Sequence, residues 1–92
     1  MSDLYSLSPT QIVFYGASWC GDCRRARRIF TEKAIDILYI DIDTDEKAAE
    51  FVKNQNQGFQ SIPTIIFPDG STLTEPDRAE LGEKLQTYQL TA

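Results

Sequence analysis

Short apolar runs alternate with stretches of helical period along this chain. Gln11 to Tyr15 (QIVFY) is a compact apolar, β-branched run closed by Gly16, and it predicts a buried strand. Beyond it Cys23, Ala26, Ile29 and Phe30 recur at helical spacing with charges between them, predicting a helix from about Gly21 to Ala34. Ile35 to Ile42 (IDILYIDI) predicts a second strand. A second helix then starts at Asp43 or Thr44, with Ala48, Phe51 and Val52 on its apolar side. It ends in the Asn-Gln run before Gly58, which has the place of a C′ glycine. Thr64 to Phe67 (TIIF) reads as a third strand, Pro68-Asp69-Gly70 as a turn, and Ser71 to Leu73 as a short fourth strand. Thr74-Glu75-Pro76-Asp77 has the form of a capping box opening a last helix that carries Leu81 and Leu85 on one face.

The order β-α-β-α-β-β-α, without repeats or an internal linker, predicts one α/β domain over residues 1–92. The strand–helix–strand unit makes the first two strands parallel, and the short third connection makes the last two antiparallel. A small mixed sheet with helices on both faces follows.

Composition then narrows the function. The 92 residues carry a net charge of −5, which opposes nucleic-acid binding even at the local run Arg24-Arg25-Ala26-Arg27-Arg28. No apolar run suits a membrane span and no signal peptide is visible, so a cytoplasmic address is expected. Histidine is absent, which removes the usual general base and the imidazole metal ligand. The acidic run from Asp41 to Glu46 lacks the glycine and downstream glutamate of a calcium loop, and fits a strand end followed by a helix cap.

Both cysteines lie in WCGDC, Trp19 to Cys23, where the first strand gives way to the first helix. There the Cys20 sulfur would sit near free helix N–H groups and the positive end of the helix dipole, which favour a thiolate. Cys23 lies about one turn deeper on the same face, so the sulfurs can meet. A structural disulfide would close too small a loop to stabilise much and would tend to be reduced in the cytosol. A closed zinc site needs four ligands where this chain has two cysteines and no histidine. Redox work is what this spacing at a strand-to-helix junction favours. Trp19 would offer a flat apolar rim beside the reactive sulfur. Asp22 should raise the thiol pKa, while Arg24 and Arg25 offset it and could attract anionic groups. Later in the chain, Ser61-Ile62-Pro63-Thr64 precedes the third strand. A cis Ile62-Pro63 bond would expose the Ile62 backbone to an extended substrate.

Strand–WCGDC–helix, Ile62-Pro63-Thr64 and the Phe67-Pro68-Asp69-Gly70 hairpin together resemble the thioredoxin superfamily, in its glutaredoxin branch. The stretches ASWCGDC, AAEFV, SIPTIIF and DGSTLTEP look most like mycoredoxins and related actinobacterial-type glutaredoxins. The resemblance implies a thioredoxin-like, glutaredoxin-type fold covering nearly the whole chain. It implies Cys20 as nucleophile, Cys23 as resolving cysteine and Pro63 as a cis-proline. It also implies a groove for a low-molecular-weight thiol at Ile62, Pro63 and the start of the last helix, with Asp77 and the backbone around Thr74 as contacts.

Two features depart from the glutaredoxin pattern. Thr74-Glu75 stands where many members carry Gly-Gly, and Ala17-Ser18-Trp19 lacks the usual basic residue. Both departures count against glutathione as the native co-substrate, and mycothiol or another low-molecular-weight thiol fits equally well. The expected function is thiol–disulfide exchange on protein disulfides or mixed disulfides, by a monomer without a bound cofactor. The alternatives are a thioredoxin-like dithiol donor re-reduced by a flavoprotein reductase, and a dimeric iron–sulfur carrier with Cys20 from each copy and two external thiols.

Overall fold

The computed structural model describes residues 2–91. The strands are β1 (Val13–Gly16), β2 (Leu38–Asp41), β3 (Thr64–Ile66) and β4 (Thr72–Thr74), and the helices α1 (Gly21–Glu32), α2 (Glu46–Gln55) and α3 (Arg78–Thr91). They form one four-stranded sheet in the order β2-β1-β3-β4. β1 pairs parallel with β2 and antiparallel with β3, and β3 pairs antiparallel with β4. This is the expected thioredoxin-like α/β architecture.

Every residue of β1 is buried, because helices cover both faces of the sheet. Successive strand side chains point to opposite faces, and Phe14 and Tyr15 display this directly. The Phe14 ring meets Phe30 of α1 edge-on at 6.0 Å, while the Tyr15 ring lies 5.1 Å from Phe51 of α2. α3 packs beside α1 on the Phe14 side, contributing the buried Leu81 and Leu85. No described helix is long and apolar enough to cross a membrane.

The helix ends differ from expectation for identifiable reasons. α1 stops at Glu32 because Ala34 adopts left-handed backbone (φ 56°), letting the Ile35 N–H reach the Phe30 carbonyl at 2.9 Å and the Ala34 N–H reach Thr31 at 3.1 Å. This is a Schellman closure, and it turns Ile35 from strand into cap. α2 ends the same way. Gln57 (φ 58°) takes the C′ position expected for Gly58, whose N–H donates to the Lys53 carbonyl at 2.7 Å. α2 opens at Asp45, whose carboxylate accepts the Ala48 N–H at 3.0 Å.

The capping box expected at Thr74 is corrected by the structure. Thr74 pairs with Thr64 in the sheet, and Asp77 caps α3 instead, accepting the Glu80 N–H at 2.7 Å. Across the β3–β4 turn, Lys84 of α3 binds Asp69 at 2.7 Å. That contact, with the Ser71 hydroxyl and N–H, holds the Asp69 carboxyl well below the usual carboxylate range.

Candidate active site

The junction between β1 and α1 builds the site. Cys20 is the N-cap of α1, and its Sγ accepts the Cys23 N–H at 3.2 Å. The side chain that would do chemistry thus also satisfies one of the orphan donors of the helix start. Its own N–H is held by the Ala17 carbonyl at 3.2 Å, fixing the turn.

Cys23 faces inward and is fully buried, whereas Cys20 opens onto a groove. Burial pushes the Cys23 thiol up to about 12, helped by its hydrogen bond with Cys20 and by the negative charges of Cys20 and Asp22. Cys23 therefore holds its proton well above neutral pH. A measurable result follows. Reducing an internal disulfide must supply at least the Cys23 proton at every pH below about 12, so the potential keeps falling as pH rises. The expected slope is at least about 30 mV per pH unit up to pH ~10.5. Redox titration against a thiol buffer tests this, and a potential that becomes flat above pH ~9 would mean an ordinary Cys23 thiol.

The groove encloses about 600 Å³. One wall is Trp19 to Asp22 with Arg25 behind, the other is the loop Phe59 to Ile62, and Glu75 stands at the edge. Trp19 is two-thirds exposed, yet it is oriented: its indole N–H donates to Asp43 at 2.6 Å. Asp43 is in turn part of a turned acidic loop, its N–H donating to Asp41 at 2.8 Å. Asp22 and Arg25 form an ion pair on the groove wall. Arg24 does not line the groove, and Arg27 of the same basic run stacks its guanidinium over the Tyr39 ring, 3.9 Å from the centroid.

A hydrogen-bond network positions the opposite wall. The Ile62–Pro63 peptide is cis, as expected. The buried Thr64 hydroxyl donates to the Ser61 carbonyl at 2.6 Å and accepts from Asn56 at 3.1 Å. Asn56 also accepts from the Thr74 hydroxyl at 3.0 Å, and the Glu75 N–H donates to the Pro63 carbonyl at 2.8 Å. The end of α2, the proline loop and the β4 terminus are thereby tied together.

The structure brings Trp19, Cys20, Asp22, Arg25 and Ile62 to one groove. It does not place Pro63, Thr74 or Asp77 on that lining. Pro63 is buried beneath, Thr74 spends its hydroxyl on Asn56, and Asp77 lines the adjoining hollow beyond Asp22 and Arg25. Three residues outside the expectation also belong to the site. Phe59 is an exposed aromatic, Glu75 an edge carboxylate, and Asp43 the anchor of Trp19. Two of them carried a visible signal: Phe59 is an aromatic directly after Gly58, and Glu75 belongs to the pair that stands in place of Gly-Gly.

Comparison with known proteins agrees with this geometry. The glutaredoxin family model matches residues 12–71. A relative in Mycobacterium tuberculosis that bears the glutaredoxin name is 42% identical over 74 residues, spanning 80% of this chain and 88% of its own. Mycoredoxin 1 of Corynebacterium glutamicum is 34% identical over 77 residues, spanning 84% of this chain and 95% of its own. Among solved structures, a glutaredoxin from Archaeoglobus fulgidus superposes with a TM-score of 0.68 at 22% identity, covering 90% of this chain and 94% of that one. This last likeness is one of fold.

Proposed function

The chain belongs to the glutaredoxin family, and from that membership we propose that it reduces protein disulfides, or mixed disulfides between a protein and a low-molecular-weight thiol, through Cys20. The observation that carries this reading is the Cys20 sulfur seated at the N-terminus of α1 in one wall of an open groove, with Cys23 fully buried beside it. Cys20 thiolate attacks the substrate disulfide. The substrate S–S bond breaks, a bond to Cys20 forms, and the protein thiolate leaves. A second small thiol then attacks the mixed disulfide on Cys20, regenerating the thiolate and releasing a symmetric small disulfide. Alternatively Cys23 attacks Cys20, giving an internal disulfide and the free small thiol.

Mycothiol or glutathione is the proposed co-substrate, and no resident cofactor is needed for this chemistry. The similarity to mycoredoxin 1 supports the first of the two thiols. The test offers a glutathionylated and a mycothiolated peptide, each with its matching free thiol, and follows release of the peptide thiol. Release that depends on Cys20 is expected. If neither peptide is released above the rate without protein, the reading fails.

A further inference from the structure

The charges around the groove do not balance. Asp22 and Arg25 neutralise each other as an ion pair, while Glu75 has no ion pair among the described residues. Both Asp22 and Arg25 are largely exposed, so Arg25 can turn toward an incoming group. If it does, Asp22 is left uncompensated instead. Either way the three charged side chains lining the groove sum to one negative charge. Asp43, bound to the Trp19 indole, adds a further carboxylate at that rim. The adjoining hollow adds Asp77 and Arg78, which offset each other.

Glu75 is also held where it stands. Its backbone adopts the left-handed region at φ 47°, where a side chain other than glycine is disfavoured. Its N–H is fixed to the Pro63 carbonyl at 2.8 Å, the preceding Thr74 is bound to Asn56, and Pro76 follows. The chain thus holds a glutamate in a glycine-type conformation at the groove that Cys20 lines.

Resting on the oxidoreductase reading above, we propose that Glu75 sets the charge selectivity of this groove. It disfavours disulfides that carry a carboxylate beside the sulfur and favours those whose flanking group is neutral or cationic. The substrate class is a disulfide bound to an uncharged small thiol, or one beside a basic residue in a peptide. An exposed like charge in a groove of this size is expected to slow attack roughly two- to fivefold, and less at high salt.

Three small symmetric disulfides of similar size separate charge from shape: dithiodiacetate (anionic), bis(2-hydroxyethyl) disulfide (neutral) and cystamine (cationic). On a Cys23→Ser background only one step occurs. Cys20 thiolate displaces one half of the probe as its thiolate and keeps the other half as a mixed disulfide, which mass spectrometry quantifies. Relative to the neutral disulfide, Glu75→Gln is expected to speed the anionic probe and slow the cationic one, each roughly two- to fivefold at low salt. Glu75→Asp should retain the original preference. In about 1 M salt the difference that Glu75→Gln makes should largely vanish. Three rates that move together, or unchanged ratios, overturn the selectivity role while leaving the oxidoreductase reading intact. No Cys20-dependent reaction with any of the three probes removes the reading on which both rest.

Discussion

Cys20→Ser is expected to lose activity on every disulfide substrate, whereas Cys23→Ser is expected to keep turnover on mixed disulfides that contain a small thiol. The loss for Cys20→Ser should reach about three orders of magnitude or more, equivalent to about 4 kcal/mol of transition-state stabilisation. Position dictates this asymmetry. Cys20 borders the groove with its sulfur accepting the Cys23 N–H at the helix start, whereas Cys23 does not line the groove and a chain without histidine has no Cys–His pair to replace Cys20. Cys23 is fully buried and its thiol is pushed up to about 12, so a small thiol arriving through the groove competes well as the resolving group. Steady-state turnover of both variants on a thiolated peptide and on a plain protein disulfide provides the measurement. A Cys23→Ser protein dead on the thiolated peptide would replace the glutaredoxin-type mechanism with a thioredoxin-like dithiol cycle. Because serine puts a hydroxyl into the core behind Cys20, Cys23→Ala serves as a second variant. Inactivity in both, with the fold intact by circular dichroism, would carry that conclusion.

Much of this arrangement was legible from patterning. QIVFY, TIIF and the helical recurrence after WCGDC each reflect one buried face, so their elements appear where the apolar residues demand, and the placement of Cys20 at a helix start follows from them. What escaped was set by backbone conformation and by contacts between distant segments. Ala34 and Gln57 close two helices in left-handed backbone, a job that sequence assigns to glycine or asparagine. Thr74-Glu75-Pro76-Asp77 and Asp77 to Glu80 both present a capping pattern, and only the β4 pairing of Thr74 with Thr64 decides between them. Asp43 sits inside an acidic run that strand end and helix cap already explain, so its bond to Trp19, 24 residues earlier, left no local trace. The backbone around Thr74 is a groove contact on the family resemblance alone; the Thr74 hydroxyl is bound to Asn56, and it is the next residue, Glu75, that lines the groove. Glu75 came to the groove through that same fixed turn.

Gly16→Ala is expected to destabilise the protein by about 1–3 kcal/mol and to uncouple the two cysteines. Gly16 reads in the sequence merely as the end of a strand, yet in the fold its missing side chain is where Cys23 packs. A Cβ there would lie 3.0 Å from the Cys23 sulfur, 3.0 Å from Phe14 Cε1 and 3.4 Å from the Cys23 Cβ. The backbone cannot retreat freely, because Gly16 pairs with Asp41 and its carbonyl accepts the Ile42 N–H at 2.9 Å. The sulfur therefore has to yield by a few tenths of an ångström within a close-packed core, away from its alignment with Cys20. Closure of the internal disulfide should slow more than the initial attack by Cys20, since the groove side of Cys20 is untouched. Urea unfolding reads the first effect, and the rate at which a mixed disulfide on Cys20 converts to the internal one reads the second. The cause is isolated by adding Cys23→Ala, which removes the clashing sulfur and leaves the contacts with Phe14 and the Cβ of residue 23. The double variant should recover part of the lost stability, giving a coupling of about 0.5–3 kcal/mol between the two sites. Strictly additive losses would show that the Gly16 methyl acts through Phe14 instead, and that the fit between Gly16 and the Cys23 sulfur does not set the position of the buried thiol.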